Sequence, residues 1–470
     1  MIVSTAFAKA DVAVFGLARS GVASVKSLVE GGARVFAWDD KDENRAAAKK
    51  EGAVILPFAE WPWPKLKTLV LSPGIPLTHP APHPVVLAAK DAGVAVIGDM
   101  ELFARQIRPG VDGPAKAPVI AITGTNGKST TTALIGHILT QCGFAAEVGG
   151  NIGKSVLDLT PPAPKTIYVL EVSSYQIDLA PGLKPDVGIL TNITPDHIDR
   201  HGSLENYAAV KARLLSQTAK GGQVCIGVDD PYTAAIYTRL AASGGADAIP
   251  VAVGKVLGRG VFVLDGSLYD AVGQRAAQVM NLSHASNLPG AHNWQNAALA
   301  YAAAKPYVKD ARLVAAAIAS FPGLAHRIED VGRVGKVRFI NDSKATNAEA
   351  AERALVCFAD IFWIAGGKPK EGGIESLKPQ FGRVRKAYLI GEAAEDFAET
   401  LGDTPHEISG KLEHAVASAF ADARKADVAS PVILLSPACA SFDQFKDFEA
   451  RGDAFRNLVK HLAEPERQAS

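Results

Sequence analysis

The chain predicts an α/β protein of three domains: a Rossmann-like N-terminal domain, a central domain with a mostly parallel sheet, and a Rossmann-like C-terminal domain. Three observations carry this. Short runs rich in Val, Ile and Leu alternate with longer helix-forming stretches, the pattern of parallel sheets covered by helices. Glycine and polar residues stand where those runs stop, at the carboxyl edge where open sheets bind ligands. A length of 470 residues supplies about three domains of ordinary size.

The first domain is read as residues 1–112. A strand, Asp11-Val-Ala-Val-Phe15, leads into the turn Gly16-Leu-Ala-Arg-Ser-Gly21. An amphipathic helix to about Glu30 and a second strand, Arg34 to Trp38, follow, the latter ending in Asp39-Asp40. This is a βαβ unit with a degenerate dinucleotide fingerprint, because Ala18 replaces the middle glycine. That glycine lets a backbone approach a pyrophosphate, so its loss counts against a dinucleotide cofactor. Thr68 to Leu71 is a further strand, ending in Ser72-Pro-Gly74. The Pro/Gly-rich stretch Arg108 to Pro118 reads as a linker.

The central domain, 113–322, carries the most informative segment. Val119 to Ile122 is an apolar, β-branched strand that empties into Gly124-Thr125-Asn126-Gly127-Lys128-Ser129-Thr130, and a helix is expected over Thr132 to Thr140. Loop N–H groups and a helix N-terminus would face phosphates. The lysine would neutralise their charge, and the serine hydroxyl would reach Mg²⁺. The common P-loop spacing would need glycine where Ile122 stands, so this is a shortened loop. It reads as an ATP site and makes the domain a P-loop-type ATPase.

Two further strands, Thr166 to Leu170 and Val187 to Leu190, run into Glu171 and Thr191-Asn192. Glu171 is placed either to reach the Mg²⁺ of bound nucleotide or to be a surface acid at a loop start. His197 is either structural or a metal or substrate contact. From Leu204 a helix carries Leu204, Tyr207, Ala208, Leu214, Leu215 and Thr218 on one stripe, and Lys211 falls on it. Such a lysine either snorkels its head into water or loses hydration and drops its pKa. Asn293 and Asn296 share a face at the start of an alanine-rich helix, as a cap or a ligand contact. Phe321 to Arg327 reads as a hinge.

The C-terminal domain, 323–470, repeats the rhythm. Val337 to Ile340 leads to Asn341-Asp342, Ile361 to Ala365 to Gly366-Gly367-Lys368, Ala387 to Ile390 to Gly391-Glu392, and Val432 to Leu435 to Ser436. A polar, frayed tail is expected after Ala463.

Composition excludes several classes. Hydrophobic content of 48% with 21% charged residues fits a folded globular chain. Lys+Arg 49 against Asp+Glu 49 leaves no basic field for nucleic acid or anionic lipid. No run approaches the roughly 20 apolar residues of a membrane span. The start lacks a basic region followed by a long apolar core, so no signal peptide is expected. The four cysteines are scattered and suggest neither disulfides nor a zinc site, so a cytoplasmic location is expected.

The loop Thr123-Gly-Thr-Asn-Gly-Lys-Ser-Thr130 resembles that of the Mur ligases and their folylpolyglutamate synthetase relatives, which form amide bonds through acyl phosphates. Glu171-Val-Ser-Ser-Tyr-Gln176, Asn192-Ile-Thr-Pro-Asp-His197, His292-Asn293-x-x-Asn296, His326-Arg327 and Asn341-Asp-Ser-Lys344-Ala-Thr346 are similar to that family in order and spacing. The segment Ser436 to Phe448 resembles its D-glutamate-adding branch. The resemblance covers essentially the whole chain. It implies ATP on Gly124, Thr125, Asn126, Gly127, Lys128, Ser129 and Thr130, with two Mg²⁺ held by Ser129, Glu171, His197 and Lys211. Lys211 would react with CO₂ to a carbamate. Lys128, His197 and Lys211 would be catalytic.

By the same resemblance, Asn293 and Asn296 hold the adenine and ribose side. Arg327, Asp342 and Lys344 surround the phosphates and ribose once the third domain closes. Arg19, Ser20, Asp39 or Asp40, and Gly74 take the uridine diphosphate of UDP-N-acetylmuramoyl-L-alanine. Asn151 touches the sugar, while Ser173 and Gln176, near Glu171, are substrate contacts. The D-glutamate acceptor would lie on Thr346, Lys370, Ser441 and Phe448. Lys370 is chosen over Lys368 because it keeps the family's distance from the double glycine. No nucleic acid or membrane partner is implied, and a monomer is expected. A ligase for another amino acid, an NAD-dependent dehydrogenase and a non-enzymatic nucleotide switch are the competing readings.

Overall fold

Three sheets carry the chain in the computed structural model, which describes residues 1–110, 115–273, 275–285, 287–370 and 372–467. The first contains β1 (Asp11–Phe15), β2 (Arg34–Trp38), β3 (Val54–Ile55), β4 (Leu66–Leu71) and β5 (Ala95–Ile97). Its order is β3-β2-β1-β4-β5 and every pairing is parallel. Strands buried on both faces read as continuous apolar runs, as Val12 to Phe15 does. Order reverses beside β1, so the glycine turn after it opens at the switch point.

The second sheet holds β6 (Val119–Thr123), β7 (Ala145–Gly150), β8 (Thr166–Glu171), β9 (Val187–Leu190), β10 (Gln223–Gly227), β11 (Asp247–Val253), β12 (Val261–Leu264), β13 (Ser267–Asp270) and β14 (Ala277–Asn281). Its order is β14-β13-β12-β11-β10-β9-β6-β8-β7. β6 lies between β8 and β9, parallel to both, and every residue of it is buried. Each such Val or Ile contributes about 1.5–3 kcal/mol by leaving water. The expected Gly loop thus leaves the sheet at its second switch point.

Strands β12–β14 are short, and β13 and β14 pair antiparallel as an extension of the sheet. The half-exposed β14 carries Gln278 and Asn281, so no apolar run announced it.

The third sheet holds β15 (Glu329–Val334), β16 (Val337–Asn341), β17 (Ile361–Gly366), β18 (Val384–Ile390), β19 (His406–Gly410) and β20 (Val432–Leu435). Its order is β15-β16-β20-β17-β18-β19, parallel except for the edge strand β15.

Two helices start earlier than their helix-forming runs, Thr132 to Thr140 and Ala297 to Ala304. The one after the Gly loop spans Lys128–Gln141, taking in a threonine run of poor helix propensity because Thr130, Thr131 and Thr132 are buried. The alanine-rich helix spans Ala291–Ala304, which puts Asn293 and Asn296 inside its first turns.

The chain divides into two compact units. The first takes the first two sheets up to Phe321; the second begins at Pro322 and also takes in the short stretch before Ala291. That division falls inside the stretch expected to be a hinge. The boundary read at 112/113 lies outside the described residues, as do part of the linker and the last three residues of the tail. The last helix, Phe448–Arg467, continues past Ala463. Among the described residues no helix is long and apolar enough to cross a membrane. All four cysteines are free.

Candidate functional site

The Gly loop is built by contacts far apart in sequence. Gly124 and Gly127 have φ of +142° and +81°, where other residues are strained. A Cβ on Gly124 would overlap Thr191 Oγ1, and one on Gly127 would overlap Asn296 Oδ1, so neither position admits a side chain. The segment after β9 clasps the loop. Asn192 O accepts from Thr125 N at 2.9 Å, Asn192 Oδ1 from Asn126 N at 2.9 Å, and Thr191 Oγ1 donates to Asn126 O at 2.5 Å. Thr131 Oγ1 donates to Asn296 Oδ1 at 3.2 Å, and Asn296 Nδ2 to Asn293 Oδ1 at 3.1 Å. The two asparagines expected on the nucleotide's adenine side therefore stand against the loop.

Lys128 opens the helix and donates from Nζ to Gly124 O at 3.0 Å and Thr125 O at 2.8 Å. Ser129 and Thr130 lie buried in the first turn. Lys211 reaches the same carbonyl from the other side: Nζ donates to Gly124 O at 2.8 Å and lies 4.4 Å from the Tyr207 ring centroid. Lys211 is 1% exposed, with Tyr207, Ala208, Leu214 and Leu215 buried on its helix, Leu204–Ser216. The snorkelling alternative is thereby excluded. Burial holds its pKa well below the ordinary lysine value, and the Lys128 charge adds to this against the opposing Asp196 and Glu171.

Glu171 ends β8 at 2% exposure. Asn151 Nδ2 donates to its Oε1 at 2.7 Å, while its Oε2 is buried with no hydrogen-bond partner among the described residues. An orphaned carboxylate oxygen beside a phosphate loop fits a divalent cation, since an unpartnered buried acceptor is otherwise costly. Among the described residues no three His, Cys, Asp or Glu stand close enough to hold a metal. The oxygen groups here that could hold Mg²⁺ are the Ser129 hydroxyl and the Glu171 carboxylate.

His197 is half-exposed, takes φ +53° and caps the short helix Ile198–His201. Its Nε2 lies 3.3 Å from Asp196 Oδ2, and its ring meets Tyr175 at 5.1 Å and Tyr207 at 6.3 Å. Tyr207 connects it to Lys211. His201, not singled out from the sequence, completes this cluster: Nε2 lies 2.9 Å from Ser174 Oγ and its ring stacks on Tyr175 at 5.6 Å. Burial lowers its pKa.

On the first sheet, Asp39 binds backbone: its carboxylate accepts from Leu17 N at 2.6 Å and Lys41 N at 2.9 Å. Burial opposes its ionisation, but these N–H groups outweigh that and its pKa is lowered. Asp40 is exposed. Arg19 and the half-exposed Ser20 open the helix Arg19–Glu30, and Arg19 Nη1 donates to Gly153 O at 2.6 Å. That bond draws the first glycine turn to the Asn151 loop of the second sheet. Gly74 O accepts from Arg200 Nη1 at 3.1 Å.

Ser173 and Gln176 form a reciprocal capping box on the helix Ser174–Asp178, a local duty the motif did not announce. Gln176 also hydrogen-bonds buried Asp99, whose carboxyl is pushed up to about 6 by burial.

In the second unit, Asp342 is buried; it accepts from Ser436 Oγ at 2.8 Å and Ile328 N at 3.1 Å, and burial raises its pKa to about 7 against the Arg327 charge. Lys344 Nζ lies 5.4 Å from the Phe448 ring centroid. Thr346 follows on the same loop, its N–H bonded to Lys344 O. Ser441 is buried and Lys370 is exposed, on loops pinned together by Lys368 N donating to Ala440 O at 2.9 Å. The structure thus places Thr346, Lys370 and Ser441 on loops after β16, β17 and β20, and Phe448 at the start of the last helix.

Buried Arg451, also unannounced, ties two of these loops together. It lies three residues after Phe448 and four before Phe455 on the buried face of its helix. A charge on such a stripe is the signal that could have found it.

Fold and site together define a nucleotide-dependent α/β enzyme with a phosphate loop at the switch point of its central sheet. A family model described as "Mur ligase middle domain" matches residues 122–304. The UDP-N-acetylmuramoylalanine–D-glutamate ligase of Caulobacter sp. (strain K31) is 52% identical over 466 residues, 99% of each chain. The ligase of that name from Phenylobacterium zucineum (strain HLK1) is 50% identical over 471 residues, 100% of each. Among solved structures, MurF from Acinetobacter baumannii superposes with a TM-score of 0.59 at 17% identity, covering 92% of this chain and 91% of its own. UDP-N-acetylmuramate-alanine ligase MurC from Thermotoga maritima gives 0.57 at 16% identity, covering 96% and 99%. The chain belongs to the Mur ligase family, and it is an ATP-dependent ligase of the acid–amino-acid class.

Proposed function

We propose that this enzyme adds D-glutamate to UDP-N-acetylmuramoyl-L-alanine in cytoplasmic peptidoglycan precursor synthesis, releasing ADP and phosphate. The observation that carries the chemistry is the meeting of Lys128 and Lys211 on Gly124 O, in a chain half identical end to end to ligases of that name.

A carboxylate is a poor electrophile. Its oxygen therefore attacks the γ-phosphorus of ATP, ADP leaves, and an acyl phosphate forms on the L-alanine carboxyl. The glutamate amine then attacks the acyl carbon, loses its proton, and the tetrahedral intermediate expels phosphate to leave the amide. Loop N–H groups and Lys128 hold the phosphates and draw charge from the transferring group. Mg²⁺, when bound by Ser129, Glu171, His197 and a carbamylated Lys211, supplies further charge neutralisation. The first sheet is assigned the uridine diphosphate through Arg19, Ser20, Asp39 and Gly74. Thr346, Lys370, Ser441 and Phe448 are assigned the acceptor, whose two carboxylates require cations and donors.

Phosphate release tests the reading. UDP-N-acetylmuramoyl-L-alanine and D- or L-glutamate are added singly and together with ATP. Release only when the nucleotide sugar and D-glutamate are both present is expected; release with another amino acid in place of D-glutamate would overturn the acceptor. Ser441→Ala and Lys370→Ala are each expected to raise the KM for D-glutamate far more than that for ATP, by the roughly 1.5–3 kcal/mol of a charge-assisted hydrogen bond. Equal rises in both KM values would remove these residues from the acceptor site.

A further inference from the structure

The geometry points to Arg451 as a positioning residue for the acceptor amino acid, a role that rests on the acceptor reading above. Arg451 is 1% exposed, and among the described residues its guanidinium hydrogen-bonds only neutral oxygens, with Asp443 and Asp342 acting on it through charge alone. Nε donates to Ser343 Oγ at 3.0 Å, Nη2 to Ser343 O at 2.9 Å and Cys439 O at 3.1 Å, and Nη1 to Ala440 O at 3.4 Å. Ser343 Oγ passes the connection on, donating to Phe448 O at 2.8 Å. Burial pulls the guanidinium pKa down to about 10, so it stays charged at neutral pH.

A buried cation without a bonded carboxylate is an expensive way to fill a core, and an apolar side chain of similar volume is often equally stable. What the planar fork adds is fixed spacing between loops. It holds the loop after β16, which leads to Thr346, against the loop after β20, which carries Ser441 one residue beyond Ala440. The double-glycine loop after β17 is drawn in as well. A Cβ on Gly367 would overlap Ala440 O and stand 3.1 Å from Arg451 Nη1, so the Lys370 loop packs backbone-close on this node. One guanidinium thus sets the distances among three groups that must grip one small dicarboxylate.

The test is steady-state kinetics of Arg451→Met and Arg451→Lys with thermal melting as a check on folding. In folded Arg451→Met the KM for glutamate should rise about tenfold or more, and that for ATP by no more than about threefold; Arg451→Lys should fall between wild type and Arg451→Met. A merely structural arginine would lower activity or melting temperature without separating the two KM values. An unchanged glutamate KM, or equal rises for all substrates, overturns the proposal. If Arg451→Met does not fold, Ser343→Ala removes the Nε acceptor and the link to Phe448, and the same separation is required of it. Should the wild type take another amino acid, the functional reading fails, and the comparison is repeated with that acceptor; only an unmoved acceptor KM then removes the role of Arg451.

Discussion

Lys128→Ala is expected to lower turnover by at least about 10²–10³, the cost of deleting one preorganised charge partner at a reacting centre. The fold should be kept. Lys128 sits at the first position of the helix Lys128–Gln141, where a cation opposes the helix dipole by about 0.3–1 kcal/mol. It also raises the electrostatic cost of buried Lys211. Its hydrogen bonds to Gly124 O and Thr125 O are local to the loop it serves. Thermal melting close to wild type, with ligation nearly abolished and ATP binding weakened, is the expected combination. Normal turnover by a folded Lys128→Ala enzyme would sink the assignment of this loop to ATP.

Lys211→Arg is expected to be nearly inactive, although it keeps a positive charge. Our hypothesis is that Lys211 works as a carbamate: neutral amine adds to CO₂, an N–C bond forms, and a proton is released. Guanidinium stays protonated and cannot follow. Burial supplies the neutral amine by lowering the lysine pKa, and conversion to an anion places charge beside the Mg²⁺ ligands instead of an uncompensated ammonium. Activity should fall when CO₂ is stripped at mildly acidic pH and return with bicarbonate at alkaline pH.

Stability should move in the same direction with pH. The native state binds fewer protons at Lys211 than the unfolded chain, so this group's contribution improves as pH rises from its lowered pKa toward the ordinary lysine range. In CO₂-free enzyme at neutral pH, Lys211→Met should therefore melt higher than wild type. A fully active Lys211→Arg enzyme, or a bare ammonium at Lys211 in a crystal with nucleotide and Mg²⁺ bound, would rule the carbamate out.

Local pattern made much of this legible. The β-branched run before Gly124 is a strand because such side chains fit a pleated, buried surface. Glycines before Lys128 mark a turn that must admit phosphates. Lys211 shared an apolar stripe with Tyr207 and Leu214 at helical spacing, which raised burial as one alternative beside a snorkelling head, and the fold decided for burial. Each inference needed only neighbours within a turn or two.

Tertiary structure decided the rest, because it depends on which strands the chain places side by side. Asn296 meets Gly127, and Thr191 meets Gly124, only because β6 lies next to β9 with the helix Ala291–Ala304 over the loop. Ser173 and Gln176 turned out to cap one another, a use that side-chain chemistry allowed as readily as ligand binding. Arg451 shows the limit most clearly. Its helix periodicity places a charge on a buried face, but its oxygen partners belong to loops after β16 and β20. Only the sheet order β16-β20-β17 brings those loops within reach of one guanidinium.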